Sequence, residues 1–195
     1  MKFGPVPPHE ALGAIMVHSV RTPERLVKKG TIIGEADIAA LETAGVAEVV
    51  VARLEADDIG ENESAAALAR AIAADNIRIE DAFTGRANLY SEHAGVLMID
   101  RAAVDRFNRI DEAVTLATLP EYRPVQEGEM VATVKIITFA IPRAVHEAAL
   151  AAAKCVVSVA PGKLAQPDAA QQALSAMAAG AAQDYDRIPQ REVWK

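Results

Sequence analysis

Residues 80–141 constrain the fold more than any other part of this chain. Short apolar runs of strand length follow one another there. Small polar knots separate them: Thr84-Gly85-Arg86 with Asn88, Asn108 with Asp111-Glu112, and Lys135 inside the run 130–139. Apolar residues recurring at a period of two mark half-buried strands. A chain that only needed to fold would place fewer Arg, Asn, Asp and Lys side chains so close to its strand ends. This interval is therefore the first place to look for a ligand.

The flanking sequence extends the pattern. Residues 46–54 and 77–83 read as strands, as do 87–90, 96–99, 114–119 and 154–159. Residues 37–44, 63–74, 100–107 and 142–153 read as helices. Gly45 follows the first helix as a left-handed cap, Asp100 suits the N-cap of the third, and Pro142 suits the first turn of the fourth. Lys28-Lys29-Gly30 is a turn signal, residues 120–128 form a turn-rich loop, and residues 6–20 fit a short helix or a strand. Strands and helices without strict βαβ alternation predict an α+β (mixed α/β) fold, a mixed sheet with several short helices. The expected organisation is one α+β domain over 1–160, then an Ala/Gln-rich tail over 161–195, helical near 168–179 or disordered.

Composition narrows the function classes. With 51% apolar and 24% charged residues the chain is of the soluble globular kind. Only 4% of residues are aromatic, so Ala, Val, Leu and Ile must build the core. The net charge of −7 and the scattered basic residues argue against a nucleic-acid groove, although one or two local cations can still hold a small anion. The single cysteine, Cys155, reads as a buried thiol and rules out a disulfide within the chain and a Cys-based metal site. No run approaches the ~18 apolar residues of a membrane span, and the N-terminus lacks the apolar core of a signal peptide. The expected location is cytoplasmic, with no membrane partner.

Three groups are candidate ligand contacts. In Thr84-Gly85-Arg86-Ala87-Asn88, glycine permits close approach to the backbone, arginine offers a fork for carboxylate or phosphate, and Asn88 both donates and accepts. The competing reading is a plain turn. Asn108, Asp111 and Glu112 offer either Mg²⁺ ligands or an acid–base group, against helix capping and a solvated turn. Lys135 shares a strand face with Thr133 and Ile137; if that face is buried, the lysine needs a partner. The four histidines have no metal-binding spacing and read as surface or capping residues. No phosphate-cradling loop, nucleophile elbow or dinucleotide turn is present, and no catalytic set can be nominated.

A resemblance adds a pathway. His9-Glu10-Ala11-Leu12-Gly13, Val27-Lys28-Lys29-Gly30-Thr31 and the stretch from Asp37-Ile38 through Gly45-Val46 to Val51 resemble the accessory region of the molybdopterin molybdenumtransferase (MoeA-type) family. The segments AFTGRANL, NRIDEAVTLATL and MVATVKII are similar to the N-terminal region of bacterial molybdopterin-binding proteins. The transferase family's SAMDGYA-like segment is absent, and so is the molybdopterin-binding domain that would follow Ala160. The resemblance therefore implies molybdenum cofactor handling and carries over no catalytic residue.

Three functions compete. One is an accessory or ligand-binding domain for an anionic pterin phosphate, molybdopterin or molybdenum cofactor, acting beside other cofactor-biosynthesis proteins. The second is an enzyme, transferase-related or acting on a small phosphorylated or sugar-acid substrate, with Asp111 or Glu112 as acid–base group and Lys135 as clamp. The third is a homo-oligomerisation module pairing edge to edge through the strand 130–139.

Overall fold

A computed structural model describes residues 1–154 and 156–162. The expected tail helix and Cys155 lie outside the described residues. Met1–Pro161 forms one compact unit with an α+β fold.

The chain begins with β1 (Lys2–Val6), a 3-10 turn, and the short strands β2 (Ile15–Met16), β3 (Val20–Arg21) and β4 (Leu26–Val27). Then come α1 (Glu35–Thr43), β5 (Val49–Arg53), β6 (Asp58–Gly60) and α2 (Glu61–Ile72). The second half runs β7 (Ile77–Ile79), β8 (Arg86–Ser91), β9 (Gly95–Ile99), α3 (Arg101–Phe107), β10 (Val114–Thr118) and β11 (Pro124–Val125). It ends with β12 (Met130–Ile136), β13 (Ala140–Pro142), α4 (Arg143–Ala152) and β14 (Val157–Pro161).

Two apolar cores lie within this unit. The first packs Met16, Val27, Ile33 and Leu41 against Val49 and Val51, under the three-stranded sheet β1-β5-β2. The second is larger. It buries Leu68 and Ile72 of α2, Leu89 of β8, Val134 and Ile136 of β12, and Phe107 of α3. Over it lie the sheets β10-β12-β8-β7 and β11-β9-β14. All strand pairs are antiparallel, and an isolated parallel bridge joins Ala73 to Val157. Phe107 is the one aromatic among the largest fully buried side chains, so small aliphatic residues fill most of the interior.

Several local readings hold in geometry. Gly45 has φ +71 just after α1. The Asp100 carboxylate accepts a hydrogen bond from Ala103 N–H at 2.9 Å as the N-cap of α3. Gly30 turns the chain with φ +82.

Others are corrected. Residues 6–20 form a 3-10 turn and two-residue strands. Helix α2 starts two residues before the expected position, because Gly60 takes the extended conformation that precedes a helix. Pro142 precedes α4 and still pairs, opposite Asp58, with β6. The run 130–139 stops as a strand at Ile136. That strand, β12, lies between β10 and β8, so both its edges are occupied and edge-to-edge pairing through it is excluded.

Candidate functional site

Five separate parts of the chain meet at one cleft of about 550 Å³. Its charged and polar lining includes Lys29, Glu61, Thr84, Lys135 and Thr138, and its apolar walls include Phe3 and Phe139.

A two-residue hairpin turn stands at the rim of this cleft. Phe83 N–H donates to Arg86 O at 2.9 Å, and Arg86 N–H donates to Phe83 O at 3.1 Å. Thr84 has φ +49 and Gly85 φ +70. Positive φ at both central residues is the type I′ geometry that matches the twist of paired strands. Gly85 is free to adopt it, whereas Thr84 is a β-branched residue in a left-handed conformation and carries strain. The buried glycine is pinned on both sides: its N–H donates to Asn62 Oδ1 at 2.8 Å, and its carbonyl accepts from Ile136 N–H at 2.7 Å. A Cβ added to Gly85 would lie 2.6 Å from Ile136 O, 2.7 Å from Glu61 Oε2 and 3.1 Å from Lys135 Nζ. The missing side chain is what lets those two charged groups approach.

Each charged group has its own support. Glu61 is the first residue of α2, and its N–H donates to Phe139 O at 2.9 Å. The Lys135 ammonium donates to the Thr84 carbonyl. Lys29 occupies the turn before α1, where its N–H donates to Ser19 Oγ at 2.9 Å. Its ammonium stands 5.7 Å from the centroid of the Phe139 ring, within cation–π range. Burial pushes the Glu61 carboxyl above its ordinary range, and the charges of Lys135 and Lys29 pull the other way.

The sequence-derived candidates separate into three places. Thr84 and Lys135 line the cleft, and Gly85 is buried against Glu61 and Lys135 without lining it. Arg86 is exposed and lies in a neighbouring groove with Glu80, Asp81, Phe83 and Asn88, where two carboxylates disfavour an anion. Asn88 is held within the sheet: its Nδ2 donates to Glu80 Oε2 at 2.9 Å and its Oδ1 accepts from Thr133 Oγ1 at 2.9 Å. The hydrogen bonds from Asn88 and then Tyr90 lower the Glu80 carboxyl below its ordinary range.

Asn108 stands at the end of α3 and binds the backbone of Leu116. Asp111 Oδ1 accepts from Ala113 N–H at 2.8 Å. Asp111 and Glu112 line a separate cleft with Asp58, near Ile137 and Thr138 and without Lys135 or Arg86. Asp111 and Glu112 thus do not line the cleft that holds Lys135. Among the described residues no three His, Cys, Asp or Glu side chains gather into a group that could hold a metal ion.

Sequence reasoning missed Lys29 and Glu61. Their only signals were a turn dipeptide and acids preceding a helix. It also read all four histidines as surface or capping residues. His146 is 8% exposed, with Nδ1 2.9 Å from Oγ of the fully buried Ser64, because α4 packs against α2.

Residues 5–53 match a family described as a domain of unknown function (DUF8806). That stretch covers most of the first core and includes Lys29 but neither Glu61 nor Lys135. No curated protein and no solved structure matches the chain. Among the described residues no helix is long and apolar enough to cross a membrane.

Proposed function

We propose that this chain is a ligand-binding domain that holds a small anion with a flat or apolar body in the cleft between Lys29 and Lys135. The observation that carries this reading is the convergence of two lysines from distant parts of the chain on a cleft walled by Phe3 and Phe139. A site of a few hundred Å³ with apolar walls and a few converging polar groups is the usual form of a small-molecule site. The strain at Thr84 lies at its rim, where stored backbone strain tends to cluster. The resemblance to molybdenum-cofactor proteins makes a phosphorylated pterin, molybdopterin or its nucleotide form, the first ligand to test. The proposed role is accessory, in molybdenum cofactor biosynthesis or handling.

The test is thermal stabilisation of the purified chain. Molybdopterin raises the melting temperature, Lys135→Ala removes most of the rise, and Arg86→Ala leaves it nearly intact. A wild-type chain that gains no stability overturns the pterin assignment. Loss in Arg86→Ala but not Lys135→Ala moves the site to the neighbouring groove.

A second reading, an enzyme acting on a small phosphorylated or sugar-acid substrate, has one observation in its favour. Glu61 is a carboxyl raised by burial beside lysines, the setting in which acid–base groups are found. In that case Glu61 replaces Asp111 or Glu112 in the acid–base role.

A further inference from the structure

Glu61 meets the cleft with more hydrogen-bonding capacity than the fold uses. A carboxylate offers acceptor sites on two oxygens. The influences on Glu61 are burial and the charges of Lys135 and Lys29, with no hydrogen bond among them. Among the described residues, none of the three groups enters an ion pair within 4.0 Å. Lys135 gives one of its N–H groups to Thr84 O, and Lys29 lies over the Phe139 ring. A carboxylate and two ammonium groups thus face one space without closing into an ion pair. Glu61 Oε2 and Lys135 Nζ both border the bare position at Gly85, 2.7 and 3.1 Å from where a Cβ would stand, yet they do not meet within ion-pair distance.

A ligand suited to this space must satisfy both signs. A plain anion held by the lysines faces the Glu61 carboxylate with a second negative charge. A plain cation on Glu61 is repelled by the lysines. A molecule with an anionic group at one end and N–H donors at the other meets neither penalty, and Phe3 and Phe139 give its body an aromatic surface.

We infer that the cleft selects ligands that combine an anionic group with a paired N–H edge on a flat ring, Glu61 accepting the edge and Lys29 and Lys135 holding the anion. This inference rests on the anion-cleft reading above and adds the other half of the ligand. Two parallel N–H···O bonds to a carboxylate are charge-assisted and directional. A ligand lacking a donor leaves that carboxylate unpaired, which is the strongest route to discrimination by a binding site.

The test compares guanosine 5′-monophosphate with inosine 5′-monophosphate by isothermal titration calorimetry on the full chain. The two share the ring, the sugar and the phosphate, and guanine adds an amino group beside its ring N–H. The expected result is tighter binding of the guanosine nucleotide by about tenfold, the scale of a hydrogen bond to a charged group. Glu61→Gln and Glu61→Ala then remove the difference between the two, weakening the guanosine nucleotide more than the inosine nucleotide, which offers Glu61 only its ring N–H. Unaltered circular-dichroism melts establish that the variants fold. Equal affinity of the wild type for both nucleotides, or a Glu61 variant that weakens both alike, overturns this inference and leaves the anion cleft standing. Binding of neither nucleotide overturns both.

Discussion

Asn108 is paired with Leu116 through both ends of its side-chain amide: Nδ2 donates to Leu116 O at 2.9 Å and Oδ1 accepts from Leu116 N–H at 2.7 Å. Leu116 is the middle residue of β10, an edge strand. The amide thus occupies the place of one peptide group of a further strand. Exposed edges of this kind recruit other chains. Asn108→Ala is expected to lower stability by about 1–2 kcal/mol through the two unpaired backbone groups and to raise the tendency to self-associate. Urea unfolding and light scattering at matched concentrations check the two effects. Unchanged ligand affinity in the same variant would agree with an edge-blocking role.

The hairpin turn yields a pair of opposite outcomes. Gly85→Ala adds a methyl group 2.6 Å from a backbone oxygen in a left-handed conformation and should cost about 2 kcal/mol or more. Thr84→Asn keeps the carbonyl that receives Lys135 and replaces a β-branched residue with one that tolerates positive φ. It should gain about 1 kcal/mol, a rise of a few degrees in a domain of this size. A Thr84→Asn melt below that of the wild type would mean the strain is relieved elsewhere.

His146 sets a direction for acid stability. Burial holds its imidazole below the usual range. Glu63 pulls upward, Arg143 lowers it further, and Glu147 pulls upward. In the unfolded chain the same ring takes up a proton near pH 6.5. Between the folded and unfolded values the unfolded state binds the extra proton, so stability is fully present above about pH 6.5 and falls as the pH drops through the unfolded value toward the lower folded one. Melting temperatures of the wild type and His146→Gln between pH 7.5 and 5.5 isolate the effect. The wild type should lose more stability than the variant over that window, and parallel curves would remove His146 as the cause.

Glu61 gives the cleft itself a pH dependence. A protonated Glu61 removes a negative charge beside the lysines, and a bound anion raises its already elevated pKa further. Sulfate does not titrate in this range, which makes it the suitable probe. Its affinity should increase as the pH falls through the carboxyl's raised value, and Glu61→Gln should bind it with little pH dependence. A wild-type affinity that is flat with pH would separate Glu61 from the anion.

Much of the local structure is legible in the residues themselves. Gly45 and Asp100 mark helix ends, Gly30 and Gly85 mark turns, and each obeys a rule that acts within a few positions along the chain. The site is less legible. Lys135 drew attention because it interrupts an apolar strand, but Lys29 and Glu61 sit in unremarkable contexts. Their convergence depends on the packing of α2 beside β12 and on the placement of the turn before α1. No periodicity encodes such long-range placement. The sequence also overvalued Asn88, Asn108 and Asp111. Their polar side chains near strand ends looked available for a ligand, whereas each satisfies a neighbouring group in the fold.

The cleft draws on both apolar cores: Lys29 is anchored beside the first, Glu61 and Lys135 beside the second. Of the cleft's lining, the stretch that matches a known family supplies only Lys29 and Gly30. The site is therefore composite: Met1, Phe3 and every lining residue from Glu61 onward lie outside residues 5–53. A change of sequence around Lys29 alters one wall of the cleft while Glu61, Gly85 and Lys135 stay in place, so the two sides are open to selection as separate modules.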